Sequence, residues 1–399
     1  GLPKRIVGNL PTSAMQFILR AQMKRGHAQD PSLHSAEFSN INYFLGCYEK
    51  PALAFEFLEQ YLGVERFDKI MHSLYDKWEF KHPGPDDVIA HFNKESGEDL
   101  SWFFDGFIYS SDEVNYKISN IKQEGENYKI KIKNTGDVNA PFPITAYKKG
   151  TAVETKWYDS VESSDVVDFP NGDYDYFVVD SSYTMLDWNM DNNYKKSKGI
   201  NMPKIGYATG FDRMDKKQLY LLPALGYNVN DGFMAGLHLN NLSLPYPRLK
   251  FVANTMYGFN SQKIVGTALL QYDQVVHKGA LQRVSYKLGS KQFSLGQDLG
   301  LENRADYGTI TPSVTFHLMH GEGSLWTSKV ELKNTFVRFS NVDKFGDAGE
   351  TTADNIYTKA IYDIQHASVL APFEASFSAE YANYENVFPE ERLQSVRLD

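Results

Sequence analysis

The sequence predicts a multidomain α plus β chain: a helical first part, a small β-sandwich, then an incomplete antiparallel β-barrel-like region. Three observations predict it. Apolar residues recur at helical spacing from the start to about residue 112. The rhythm changes to period two from about 113 to 200, and from about 205 the alternation becomes longer and cleaner. The expected domains are therefore 1–112, 113–200 and 205–399.

In the first part, Met15, Ile18, Leu19 and Met23 predict a helix after Pro11. The run from about Pro51 to Leu62 is apolar on more than one face, so that helix is expected to be buried. Phe67, Ile70, Met71, Leu74, Tyr75 and Trp78 share one face of a helix that begins after Gly63. Pro83 and Pro85 break the chain, and Asp86 and Asp87 stand where the positive end of a new helix favours carboxylates. Leu100, Phe103, Phe104, Phe107 and Ile108 repeat the helical pattern behind Glu98 and Asp99.

In the second part, Tyr128, Ile130 and Ile132 alternate with lysines and stop at Asn134-Thr135-Gly136. Tyr174, Tyr176 and Val178 form another such run after Asn171-Gly172, and the whole reads as an immunoglobulin-like sandwich. Lys196 to Gly199 and Pro203 mark a linker. In the third part, Phe373, Ala375, Phe377, Ala379 and Tyr381 fall on one face of a strand, with Glu374, Ser376, Ser378 and Glu380 on the other. Leu249 to Phe259 and Lys329 to Lys333 alternate similarly. About 10 residues of alternation is the length that crosses an outer membrane as a tilted strand. A soluble sheet with one wet face shows the same alternation; aromatic richness and strand length favour the membrane barrel. Asp231-Gly232 predicts a tight hairpin turn.

Composition bounds the function. The 399 residues include 42% hydrophobic and 23% charged, which excludes wholesale disorder. Forty-one Lys and Arg against 50 Asp and Glu give a net charge of -9, which argues against nucleic acid as a partner. The single cysteine, Cys47, forbids an internal disulfide and a cysteine zinc cluster, and it is read as a packing residue. No apolar run is long enough for a transmembrane helix. The start, GLPKRIVGNL, has no initiator Met or signal-peptide core, and both ends read as cut, so the expectation is an internal piece of a longer protein.

The block Tyr48-Glu49-Lys50-Pro51-Ala52, followed by Leu58, Leu62-Gly63 and Phe67, resembles the aminopeptidase N family of zinc metallopeptidases. The run Trp78-Glu79-Phe80-Lys81-His82-Pro83, then Pro85-Asp86, Ser96-Gly97 and Leu100 to Phe103, resembles the end of the same catalytic domain. The resemblance covers about the first 110 residues, and the sandwich fits that family's β domain. Pro51 departs from the family's glycine, which bears on the local turn geometry. The resemblance implies that Tyr48 is catalytic, donating its phenolic hydrogen bond to the oxyanion formed when a zinc-bound water attacks a peptide carbonyl. Outside such a block, a tyrosine at a helix start ordinarily packs its ring and wets its hydroxyl.

The family's His-Glu-x-x-His motif and later Glu precede the tyrosine. None of the ten histidines here begins such a motif, so the zinc ligands are expected upstream of Gly1 and the chain alone is expected to be inactive. His317 and His320, three apart on a strand-like run, point to opposite faces and make a poor metal pair. Asp187 to Asp191 imitates the opening of a calcium loop. Asn192 replaces its glycine and Lys198 its terminal Glu, so a turn is expected. Gly226 to Gly232 resembles the strand-turn pattern of bacterial outer-membrane surface-antigen barrels. The combined expectation is a piece of a zinc aminopeptidase acting on peptides and anchored in the bacterial outer membrane. The rivals are an outer-membrane barrel with a non-catalytic peptidase-like scaffold, and a soluble binding module built on the β segment.

Overall fold

The computed structural model describes residues 13–213, 216–295, 305–321, 324–340, 353–367, 370–385 and 392–398. Pro11 and the two chain ends, on which part of the sequence reading falls, lie outside them. The chain is α plus β, and among the described residues it divides into two compact units, one up to Lys204 together with Arg213–Lys217 and the other from Ile205 onward without that segment.

The first unit begins with α1 (Ala14–Arg25). Ser13 caps it: its hydroxyl accepts from the Gln16 amide at 3.1 Å while the Gln16 side chain accepts from the Ser13 amide. Then come α2 (Asn40–Phe44), a π-helical turn (Leu45–Glu49), α3 (Lys50–Leu62) and α4 (Val64–Trp78). Gly63, at φ +84, takes the sharp corner between α3 and α4. α5 (Pro85–Ser96) opens with Pro at its first position, and the Asp87 carboxylate accepts from the Gly84 amide at 2.9 Å. A last short helix, α6 (Ser101–Phe103), runs into a second π-helical turn, Phe104–Ile108.

Seven strands follow: β1 (Tyr116–Glu124), β2 (Asn127–Asn134), β3 (Phe142–Lys148), β4 (Thr151–Tyr158), β5 (Ser164–Pro170), β6 (Tyr176–Val179) and β7 (Tyr194–Lys196). They form a sheet in the order β1-β2-β5 and another in the order β4-β3-β6-β7. Helices and strands share one hydrophobic core, in which Phe57 of α3 meets Phe107 at 5.6 Å and Trp157 of β4 at 5.5 Å. The core face of β6 is Phe177 and Val179, both fully buried, whereas the sequence run had emphasised Tyr174, Tyr176 and Val178. Tyr174 precedes the strand, and the Tyr176 ring stacks on Tyr147 at 4.8 Å on the other face. When every residue of a strand is apolar, the sheet's position decides which parity is core.

The second unit is an antiparallel sheet of 11 strands. These are β8 (Lys204–Tyr207), β10 (Gln218–Asn228), β11 (Gly232–Asn240), β13 (Leu249–Gly258), β14 (Lys263–Lys278), β15 (Leu281–Leu295), β16 (Ala305–Met319), β17 (Trp326–Ser340), β18 (Ala353–His366), β19 (Phe373–Glu385) and β20 (Arg392–Leu398). Each from β13 onward pairs with the next in sequence, and a two-residue parallel pair, β9 (Gly210–Phe211) with β12 (Ser243–Leu244), lies beside them. Among the described residues no ladder joins the edge strands β8 and β20. The β10–β11 hairpin turns where Asp231-Gly232 predicted it. Asn228 and Asp231 bond across the turn, and Gly232 sits at φ +71.

Candidate functional site

Tyr48 lies in the π-helical turn between α2 and α3, where the Lys50 amide reaches back five residues to the Leu45 carbonyl. The extra residue turns Tyr48 outward, 59% exposed, while Lys50 two positions later is buried. Such one-turn widenings of a helix occur often at functional sites. Here the turn also answers the Pro51 departure. A proline inside a helix removes a hydrogen bond and crowds the carbonyl four residues back, Cys47 in this case. A turn that already bonds five residues back accommodates it, and α3 runs on without interruption.

Two groups hold this turn. Gly46 lies against Phe38 so closely that a β-carbon there would come 2.5 Å from the ring. The Lys50 ammonium donates to the Ser110 carbonyl at 2.9 Å, pinning the start of α3 to the exit from the helical segment. Burial lowers its pKa to about 8, against the pull of Asp30 and Asp112.

The phenol ring packs on Phe44 at 5.7 Å and meets Tyr43 edge-on at 6.4 Å, and both partners are themselves exposed. Among the described residues the Tyr48 hydroxyl has no hydrogen-bond partner. It stands just before the buried helix α3 with its hydroxyl donor unengaged among the described residues. Sequence reasoning missed Tyr43, Phe44 and the Lys50 contact. The spacing of Phe44 four residues before Tyr48 was a usable signal; the Lys50 contact, spanning 60 positions, left none.

The histidines are scattered. His91 is buried against the Ser73 hydroxyl at 2.9 Å, and His34 caps a short turn. His317 bonds the Ser285 hydroxyl at 3.2 Å, whereas His320, beyond the strand end, bonds Ser328 at 2.8 Å. Among the described residues no cluster of three His, Cys, Asp or Glu side chains has metal-binding geometry. Asp187 forms the turn expected of it. Its buried carboxylate accepts from the Tyr116 and Asn189 amides at 2.9 and 2.8 Å, pointing inward rather than toward an ion.

The second unit has a different kind of surface. The row Tyr286-Val314-Leu332-Ala360-Ala379 crosses five strands on one face, and the next row, Lys287-Ser313-Lys333-Lys359-Glu380, crosses them on the other. Burial is inverted relative to a sheet that folds in water. Ile310 is 55% exposed and Phe377 60%, while Ser285 is 2% exposed and Thr315 4%. The polar face carries its own ion pairs, Lys250 to Asp273 at 2.7 Å and Lys329 to Asp363 at 3.1 Å.

No known protein-family model matches the chain, and no curated protein matches it.

Proposed function

We propose that this chain is part of a zinc aminopeptidase that removes N-terminal residues from peptides and is anchored in the bacterial outer membrane by its β-rich unit. The observation that carries the enzymatic half is the placement of Tyr48, an exposed phenol with an unengaged hydroxyl on a turn locked by Gly46 and Lys50. A neutral phenol donates to developing negative charge without ionising, and rigid support removes the cost of orienting it during the reaction. Zinc, held by residues outside those described, would supply water activation. This chain supplies the hydrogen bond to the oxyanion, and the Tyr43 and Phe44 rings flank it.

The inverted sheet supports the anchoring. Apolar side chains turned outward across neighbouring strands, over a polar face with its own ion pairs, suit strands whose outer solvent is hydrocarbon. In a bilayer the edge amides must be paired, so the strands would close into a barrel there. No helix among the described residues is long and apolar enough to cross a membrane, which leaves the strands as the spanning elements of this reading.

The test uses the zinc-loaded peptidase of this reading. Tyr48→Phe is expected to lower turnover while zinc content and KM hold. Near-normal turnover would turn the reading to a barrel with a non-catalytic scaffold. Release from membranes by carbonate, with a monodisperse protein in plain buffer, would remove the anchoring.

A further inference from the structure

The outward face of the sheet changes character toward both strand ends. On β17, Val330, Leu332 and Phe336 point outward with Trp326 before them and Arg338 after. Trp326 stacks on His366 of β18 at 4.5 Å and leans on Phe373 of β19 at 6.0 Å. The His366 ring is fixed because its Nδ1 donates to the Ala371 carbonyl at 3.1 Å. At the opposite end, Arg338 makes a bidentate pair with Asp354 of β18, both contacts 2.8 Å. On β10, β11 and β13 that same end carries Tyr227, Phe233 and Tyr257, exposed, with Phe259 stacked on Phe233 at 5.8 Å just beyond it.

Trp326 and Arg338 are 12 residues apart on one strand. At about 3.3 Å per residue and a tilt of about 45°, that separation projects to about 28 Å along a bilayer normal. A hydrocarbon core is about 30 Å thick, and outer-membrane barrels present a band about 25 Å tall. Indole rings favour the headgroup boundary, where an apolar body and a polar N–H are both satisfied. A bidentate ion pair facing outward is costly at the bilayer centre and nearly free at its edge. Ser328, next to the Trp326 end, is one polar exception inside the band on β17, and Asn334 is the other. It stands opposite Pro312, where the β16–β17 ladder skips from Ile310–Phe336 to Ser313–Lys333.

We propose that the Trp326–His366–Phe373 cluster marks one lipid headgroup boundary of this protein and the Arg338–Asp354 pair the other, so that the outward face between them is a lipid-binding surface one bilayer tall. This rests on the membrane reading above and adds to it a placement in depth. A second copy of the chain is a different occupant for the same face, and the width of the band between the two markers favours lipid.

The experiment reconstitutes the full chain into phosphatidylethanolamine–phosphatidylglycerol vesicles whose acyl chains carry bromine either near the headgroup or near the methyl end. Bromine quenches indole on contact. Trp326 is the one tryptophan of the β-rich unit, the others being Trp78, Trp102, Trp157 and Trp188, and Trp326→Phe isolates its signal. Trp326-dependent quenching is expected to be at least about twofold stronger with shallow bromine, since boundary and bilayer centre lie about 15 Å apart. Stronger quenching by deep bromine would leave the membrane reading standing and overturn the boundary placement. No Trp326-dependent quenching at either depth would overturn both and give the face to another occupant.

Discussion

Asp187 makes the fold sensitive to pH in a defined direction. Its carboxyl, on the loop between β6 and β7, is fully buried against β1, and burial raises its pKa to about 7 although two backbone N–H groups pull the other way. Asp180, sealed nearby and accepting from the Thr184 and Met185 amides, is raised to about 6 for the same reason. A carboxyl whose folded pKa exceeds its unfolded value near 4 binds its proton more tightly in the folded state. Its contribution to stability is then complete below about pH 4 and is lost as pH rises through the folded pKa. At 1.36 kcal/mol per unit, Asp187 takes about 3 kcal/mol from the unfolding free energy between about pH 5 and pH 7.5, and Asp180 about 1 kcal/mol more. Lys50 acts above this window. With its pKa lowered to about 8, its contribution is present above its unfolded value near 10.5 and is lost as pH falls through 8. Urea unfolding of the chain in detergent, followed through the fluorescence of Trp157 and Trp188, should show the fall in wild type. In Asp187→Asn most of it should be gone, even though the variant loses one amide contact and is less stable at low pH. An equal fall in both proteins would refute the assignment of the slope to Asp187.

Other outcomes follow from the same geometry. On the proposed reading, Tyr48→Phe should lower kcat about a hundredfold or more, the loss of about 3 kcal/mol usual for one oxyanion donor, as read by steady-state kinetics at constant zinc content. Phe377→Arg, on the outward face, should cost about 2 to 4 kcal/mol in lipid while Ser378→Arg on the polar face is tolerated. Because Phe377 is already 60% exposed, a harmless Phe377→Arg in reconstituted protein would show that water covers this face. Phe57→Ala removes the ring that joins α3 to β4, and should cost about 3 to 5 kcal/mol in urea unfolding. Gly46→Val should unseat Phe38 and, on the proposed reading, lower turnover by displacing the Tyr48 turn.

Local signals in the sequence determined most elements of this protein. Ser13, Gly63 and Pro85 set helix boundaries through caps and fixed dihedrals, which act within one turn of chain. The alternation from Phe373 to Tyr381 assigned side chains to faces because strand geometry has a period of two. The Tyr48 block pointed to one residue, though only the structure shows that its hydroxyl is exposed. What tertiary structure decided depends on contacts far apart in the chain. The all-apolar run of β6 held no information about which parity faces the core, and its packing in the sandwich chose Phe177 and Val179. The π-helical turn that admits Pro51 and turns Tyr48 outward is held by Phe38 and by Ser110, neither legible from the block itself. Alternation likewise cannot say which face of the sheet is turned outward. That answer came from pairing Leu288, Ile310 and Phe336 with their neighbours across the sheet while Ser285 and Thr315 were buried, because burial is a property of the assembled strands and not of any one of them.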